Sequence, residues 1–373
     1  MNFSSGIWHD CTPFLFPGLA PFSARSKSTR IEAFTTPLPP TVVPSMKKTT
    51  LYLSAADVRK ALPMSAAIAA MRDAFRAVAT KQVILPPRSS FPADNGTGVA
   101  LVMPCHCTAQ TLFSLKFITV FDENPERNLP LIQSLLILTD SATGEHLALI
   151  DGVSLTALRT GAASGLATDL LARPDVRVAT IFGAGVQART QLEAVCCVRS
   201  IEQAFVFDAF PDAADRFAVE MTEELGLPVQ RADSPAAALK DADVVCAATS
   251  SIKPIFDDAD VPDGVHINGV GTFRPGTAEI PPATVCRARV IVDQVESALE
   301  EAGDLIDPMR DGLFDQSHFE TELGDVLLGK TTGRRDQNEI TLFKSVGVAI
   351  QDLTAAKRAL DNAKDLGLGL PLP

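Results

Sequence analysis

The sequence predicts an α/β protein: a doubly wound parallel sheet, preceded by an α+β unit that the chain's last helix completes. Three observations predict it. Residues 98–150 read as successive strands with no helix between them. From residue 176 onward, short apolar strands alternate with helices. After the last of those strands, a helical pattern returns near the C-terminus.

The 373 residues suit two or three domains. A hydrophobic share of 46% with 21% charged residues belongs to a folded chain and excludes a disordered one. No apolar run is long enough to span a membrane. A net charge of −12 without a basic stripe argues against nucleic acid as a partner. Seven scattered Cys, an odd number, read as reduced thiols in a cytoplasmic compartment.

Residues 1–45 stand apart. They hold seven of the 26 Pro and the single Trp, without helical or strand periodicity. Asp10, Pro13 and Pro17 interrupt any secretory apolar core. The segment reads as a disordered or mis-assigned extension, with targeting as the alternative, and Met46 looks like a natural start.

Elements follow in order. Residues 49–53 are strand-like. Ser54 and Asp57 have capping-box spacing ahead of a short helix. Ser65 is expected to cap a longer one, whose apolar face is Ile68, Met71, Phe75 and Val78. Pro86-Pro87 ends it. Residues 98–103, 112–120, 131–139 and 147–150 read as strands, with Lys116 an unexpected charge inside an apolar one. A buried Lys needs a counter-charge. Residues 154–171 form a helix rich in small residues, and Arg159 in its middle needs a partner if buried.

Residues 176–182 form a compact strand, followed by Gly183-Ala184-Gly185-Val186-Gln187-Ala188 and a helix. A second strand, 204–207, ends at Asp208. A helix over 212–225, a strand near Val229, a helix capped by Ser234-Pro235, and strands at 244–247, 265–269 and 289–292 complete the alternation. A last helix is expected over 341–360.

Strand, Gly-x-Gly-x-x-Ala, helix, strand and acid together form the Rossmann fingerprint. Gly183 permits the tight turn and Gly185 lets backbone approach a pyrophosphate. Ala188 packs the helix close to the sheet, and the helix N-terminus favours phosphate. Asp208, 23 residues after Gly185, suits both ribose hydroxyls and repels a 2′-phosphate, so NAD(H) is expected over NADP(H).

With its surroundings the chain resembles the ornithine cyclodeaminase/mu-crystallin family. The resemblance is carried by Leu115-Lys116-Phe117, by the run from Leu155 through Arg159-Thr160 to Ser164, and by Phe182–Ala188. It continues through His266-Ile267-Asn268-Gly269-Val270-Gly271 and Phe343 to Asp352. It implies a homodimer acting on a small amino or imino acid. It also implies residues 46–172 as a substrate-binding and dimerisation domain and 173–316 as the Rossmann domain. Residues 317–373 then return to the first domain.

Carried over by position, the resemblance makes Arg88 and Arg159 grips for a substrate carboxylate, with Arg159 also bridging to the cofactor. Lys116 becomes a catalytic group against the substrate carboxylate or carbonyl. Thr160, Gln187 and Thr249 become cofactor contacts beside the Gly183–Gln187 loop. Val270 and Gly271 flank a nicotinamide, and Ser345 touches its carboxamide. Without the resemblance, Arg88 after a Pro-Pro turn reads more readily as a solvated loop charge.

Two departures matter. Leu101 stands where cyclodeaminases carry a substrate-holding Glu. Phe273 stands where deaminating relatives carry a catalytic Asp. Phe cannot move protons or position water. Imine reduction needs only a carboxylate anchor, a protonated imine and a hydride donor. The expected activity is therefore reduction of a cyclic ketimine such as pyrroline-2-carboxylate or piperideine-2-carboxylate. Ornithine cyclodeamination, an alanine-type dehydrogenase and a non-catalytic binding protein are the alternatives.

Cys105-His106-Cys107 alternate faces on a strand and do not converge on a metal. His266 reads as a structural hydrogen-bonder. Glu300-Glu301 and Glu320 with Glu322 read as solvated faces, and Arg274 is left open between surface and substrate.

Overall fold

The structure, a computed structural model, describes residues 49–93 and 96–373. The expectations for residues 1–45 lie outside the described residues. Among the described residues there are two sheets.

The first sheet has eight strands. Its centre is an antiparallel run of Gly98–Cys107, Leu112–Phe121, Ile132–Asp140 and His146–Asp151. Thr50–Leu53 adds parallel to His146–Asp151, and Leu370–Leu372 closes that edge antiparallel. The inner face carries the helices Ala55–Ala61, Gly152–Leu171 and Ala349–Leu366, and Met64–Ala79 packs on the last two of these. Ser54 and Asp57 make the expected capping box. Ser65 does not cap the second helix: that helix starts at Met64 after Pro63, with no side-chain cap. The preset φ of Pro63 starts the turn two residues earlier than the Ser signal suggests.

Strand Leu112–Phe121 alternates strictly at its start. Leu112, Ser114 and Lys116 point inward and are buried, while Phe113, Leu115 and Phe117 are exposed. A one-residue slip would exchange the two sets.

Helix Gly152–Leu171 is buried on almost every side, so its sequence shows no amphipathic stripe. Asp151 caps it by accepting from the Ser154 backbone N–H at 2.8 Å. The small residues have a geometric purpose. A Cβ on Gly161 would lie 2.4 Å from the Thr190 carbonyl oxygen, where this helix crosses Val186–Val198.

The second sheet is parallel throughout. Its seven strands run Val229–Arg231, Gln203–Phe207, Val178–Phe182, Val244–Ala247, His266–Gly269, Thr341–Lys344 and Arg289–Val292. The order reverses between Val178–Phe182 and Val244–Ala247, where a doubly wound sheet opens its ligand crevice.

Thr341–Lys344 corrects the expected helix over 341–360 and the boundary at 317. Those four residues are a fully buried strand of the parallel sheet, and the helix begins only at Ala349. A short apolar run buried on both faces carries no period that separates strand from helix. Gly347, at φ +82°, breaks the backbone between them. The chain thus completes the second sheet first and then returns a helix to the first unit.

Candidate active site

Lys116 and Arg159 reach the same carboxylate. Lys116 Nζ lies 2.6 Å from Asp352 Oδ2 and Arg159 Nε lies 3.0 Å from Asp352 Oδ1. Arg159 Nη1 also donates to Gln351 Oε1 at 2.6 Å, and Lys116 Nζ sits 3.4 Å from Thr156 Oγ1. Strand 112–121 supplies the Lys, helix 152–171 the Arg, and the first turn of helix 349–366 the Asp. Asp352 is the counter-charge that both buried cations require. Burial lowers the Lys116 ammonium to about 8, against the pull of Asp352. Burial also opposes the charge of Asp352, yet Lys116 and Arg159 outweigh it and hold the carboxyl below its usual range.

Gly347 links these cations to Arg88. A Cβ there would lie 2.5 Å from Arg159 Nη1, so only glycine leaves room for the guanidinium. Arg88 Nη2 donates to the Gly347 carbonyl at 2.9 Å. The turn itself hangs on Asp293, whose Oδ2 accepts from Ser345 Oγ, Val346 N and Gly347 N at 2.7–3.0 Å. The Ser345 hydroxyl is therefore engaged with Asp293, and its part is to shape this turn. Burial raises the Asp293 carboxyl while these donors oppose the rise.

Arg88 is not the solvated loop charge that its Pro-Pro context allows. Its Nε pairs with Glu301 Oε1 at 2.6 Å. Glu301, on helix Val295–Glu301, is correspondingly not part of a solvated face. Glu322 is not one either: its Oε1 accepts from Val295 N. Arg88, Met103, Glu301 and Gly347 line a cavity of about 430 Å³ beside this cluster.

The Gly347 turn follows strand 341–344, at the same carboxyl-terminal edge of the parallel sheet as the loops of the order reversal. Gly183 has φ +97°, and a Cβ there would meet the Ala248 carbonyl oxygen at 2.5 Å, so the two loops at the order reversal touch. Gly185 faces open space, and the helix Val186–Val198 that follows has no side-chain cap. Gln187 Oε1 is buried without a partner. Asp208 accepts from Ala184 N and Phe210 N at 2.8 Å each, which anchors the turn and leaves lone pairs outward. Uncapped helix N–H groups, an open glycine and a carboxylate at the second strand's end fit a dinucleotide.

Thr249 and Gly271 are held by one residue. Glu279 accepts from Thr249 N and Oγ1 at 2.6 Å, and from Gly271 N at 2.7 Å. Asp304, itself paired with Lys344 at 2.6 Å, accepts from the Glu279 backbone N–H. Thr160 is buried near the helix crossing at Gly161, and Val270 follows the strand that ends at Gly269, its N–H donating to the Ala247 carbonyl. Sequence reasoning missed Asp293, Glu279 and Glu301. Each is an isolated acid in a loop or helix, without a periodic signal. Asp352 was visible only as part of a familiar block.

His266 hydrogen-bonds Thr341 Oγ1 and Asn268 Oδ1, and burial lowers it to about 3, so it is neutral and structural. Phe273 is partly exposed, with the Arg274 guanidinium over its ring, so Arg274 is a surface residue. Cys105 and Cys107 are buried on one face of their strand, while His106 stacks against Phe113.

The ornithine cyclodeaminase/mu-crystallin family profile matches residues 48–367. The chain is 38% identical over 320 residues to a Delta(1)-pyrroline-2-carboxylate reductase of Bacillus cereus, covering 86% of this chain and 98% of that protein. The structure of Thermococcus litoralis Delta(1)-pyrroline-2-carboxylate reductase, in complex with NADH and L-proline, superposes with a TM-score of 0.83. It shares 38% identity and covers 87% of this chain and 100% of its own. An archaeal alanine dehydrogenase dimer with bound NAD gives 0.81 at 32% identity, covering 87% and 99%. The chain belongs to the ornithine cyclodeaminase/mu-crystallin family.

Proposed function

We propose that this protein reduces a cyclic ketimine carrying a 2-carboxylate, of the pyrroline- or piperideine-2-carboxylate kind, to the cyclic L-amino acid. One observation carries the reading. Arg88 and Arg159 meet at Gly347, and Lys116 shares Asp352 with Arg159, just past the carboxyl end of a strand in the parallel sheet. Arg88 in the cavity lining, with the buried Arg159 and Lys116 close by, suits a small anionic substrate. The relatives above that act on pyrroline-2-carboxylate support the same choice.

A nicotinamide cofactor, when bound, supplies the hydride. Gly183, Ala184, Gly185, Val186 and Gln187 would cradle its pyrophosphate, with Asp208 at the ribose. Thr249, Val270 and Gly271 would sit at the nicotinamide end. Asp208 favours NAD(H) over NADP(H) by repelling a 2′-phosphate. Arg88 and Arg159 orient the substrate carboxylate. Lys116, whose proton is loosened by burial, keeps the imine nitrogen protonated directly or through a water. The segment after Gly271 offers Thr272, Phe273 and Arg274, so it brings no carboxylate of its own to drive deamination.

A homodimer belongs to this reading. Phe113, Leu115 and Phe117, with Leu135 opposite Phe117, leave an apolar strip on the outer sheet face. So does a cytoplasmic location, which suits the free thiols of Cys105, Cys107 and Cys246.

The test is NADH oxidation with pyrroline-2-carboxylate and piperideine-2-carboxylate, run beside ammonia release from L-ornithine at catalytic NAD. Oxidation with either imine is expected. Ammonia release without imine reduction overturns the reading in favour of cyclodeamination.

A further inference from the structure

The Arg88–Glu301 pair is built unlike the buried pairs beneath it. Lys116–Asp352 and Lys344–Asp304 are shut from solvent, at 1%/1% and 0%/0% side-chain exposure. Each of those carboxylates uses both oxygens. Arg88 instead meets a single oxygen of Glu301 through Nε, at 22%/14% exposure. Glu301 Oε2 is buried and has no hydrogen-bond partner. A permanent arginine–carboxylate pair presents both oxygens to the guanidinium fork or finds other donors for the second. This pair does neither, so it is incomplete as a structural bond.

Both partners line the cavity of about 430 Å³, and among its lining residues Arg88 is the one cation. The other charges around Glu301 are acids. Asp293 follows the strand 289–292, Glu300 precedes Glu301 on its own helix, and Glu296 lines the same cavity. A small carboxylate entering the cavity therefore competes with Glu301 for Arg88.

We propose that Glu301 is a built-in stand-in for the substrate carboxylate, occupying Arg88 in the free enzyme and displaced when substrate binds. This rests on the reading of Arg88 as a substrate anchor. Displacement takes the cation from Glu301 and brings a second carboxylate close. Burial already raises the Glu301 carboxyl to about 7, with Arg88 opposing and Asp293 and Glu300 adding to the rise. Losing Arg88 raises it further, so Glu301 takes up a proton as the ligand binds near neutral pH. Ligand binding then weakens as pH rises, because the proton must be drawn from a scarcer supply.

The experiment is isothermal titration of the NADH-loaded enzyme with pyrrole-2-carboxylate, whose ring nitrogen does not titrate near neutrality. It is run at pH 7.5 in buffers of differing ionisation enthalpy. The wild type is expected to take up a substantial fraction of a proton. Glu301→Gln is expected to take up clearly less, the remainder coming from Lys116, and to bind about 3- to 10-fold tighter, a range set by the modest worth of partly exposed ion pairs. Its KM for pyrroline-2-carboxylate falls by the same factor while kcat holds. Glu301→Asp keeps the charge and the proton uptake. Weaker binding by Glu301→Gln overturns the proposal, since Glu301 then positions Arg88 instead of competing for it. Equal proton uptake in the two proteins overturns it as well. Should Glu301→Gln fold poorly, the wild type decides alone: a KM unchanged between pH 6.5 and 8.5 sinks the idea. In these outcomes imine turnover by the wild type stands. Failure of the functional reading looks different: the wild type neither binds the ring carboxylate nor oxidises NADH, and the proposal falls with it.

Discussion

Lys116 and Asp352 meet at 2.6 Å across 236 residues of sequence, each side chain 1% exposed. The contact joins the middle strand of the first sheet to the helix that ends the fold. It ties catalytic competence to completion of the chain. Replacing Asp352 by Ala leaves Lys116 and Arg159 buried without their carboxylate and should cost about 3–5 kcal/mol. Urea unfolding measures it, and a loss under 1 kcal/mol contradicts the reading of Asp352 as their shared counter-charge.

Lys116→Ala should lower turnover by about 100-fold or more, the scale of a lost general acid, while NADH binding measured by fluorescence is unchanged. The wild-type kcat should fall as pH rises through about 8, where Lys116 gives up its proton. Stability moves the other way. Between about 8 and the ordinary value of 10.5, the unfolded chain holds a proton that the folded chain has released, so this residue's contribution rises with pH. A kcat profile flat to pH 9.5 removes Lys116 as proton donor.

His266 gives a prediction in acid. Its folded value is lowered to about 3 from 6.5, so below 6.5 the unfolded chain binds a proton that the folded chain refuses. Stability should fall by about 2 kcal/mol between pH 6.5 and 5 from this group alone. His266→Gln should shed that slope in denaturant titrations across the interval. An unchanged slope means that His266 is not buried neutral.

The two glycines of the nucleotide loop should part company. Gly183→Ala forces a Cβ to 2.5 Å from the Ala248 carbonyl oxygen at φ +97°, so the melting temperature drops. Gly185→Ala meets no atom within 4 Å and should keep the fold. Its methyl occupies the approach of a pyrophosphate, so NADH affinity should fall about tenfold or more, or about 1.4 kcal/mol. Intact NADH binding by Gly185→Ala would place the cofactor elsewhere.

Asp208→Ser should raise NADPH use relative to NADH, by removing the charge that opposes a 2′-phosphate. The ratio of kcat/KM for the two cofactors reads this directly. An unaltered ratio rejects Asp208 as the discriminating group.

Phe117→Glu places a charge in the centre of the exposed strip and should convert a dimer to monomers in sedimentation experiments. Its neighbour Lys116 points to the opposite face, so the fold should survive. A wild type that sediments as a monomer ends the dimer reading.

The sequence made much of this visible, for physical reasons that differ by element. The nucleotide loop was legible because Gly183, Gly185 and Asp208 answer local backbone demands that few other residues meet. Lys116 and Arg159 stood out as charges in apolar or small-residue surroundings, and both proved buried and paired. Their partner could not be read off, because it arrives from a helix that begins almost two hundred residues beyond Arg159. Thr341–Lys344 was misassigned because a strand buried on both faces shows no alternation. Glu301 and Glu322 looked like surface charges, since a helix sequence does not reveal what another segment brings against it.

The interlacing has a consequence for synthesis. The first sheet emerges early, yet the helix 349–366 that covers its inner face leaves the ribosome almost last, after the whole second sheet. Until then a nascent chain carries Lys116 and Arg159 without Asp352, on an apolar face that the earlier helices cover only in part. The early half is thus obliged to wait, and chaperones have a long window in which to engage it. Ribosome-arrested chains ending at residue 340 should be cleaved rapidly by protease within the first sheet, whereas released full-length protein resists. Equal resistance would mean that the sheet is stable before its last helix arrives.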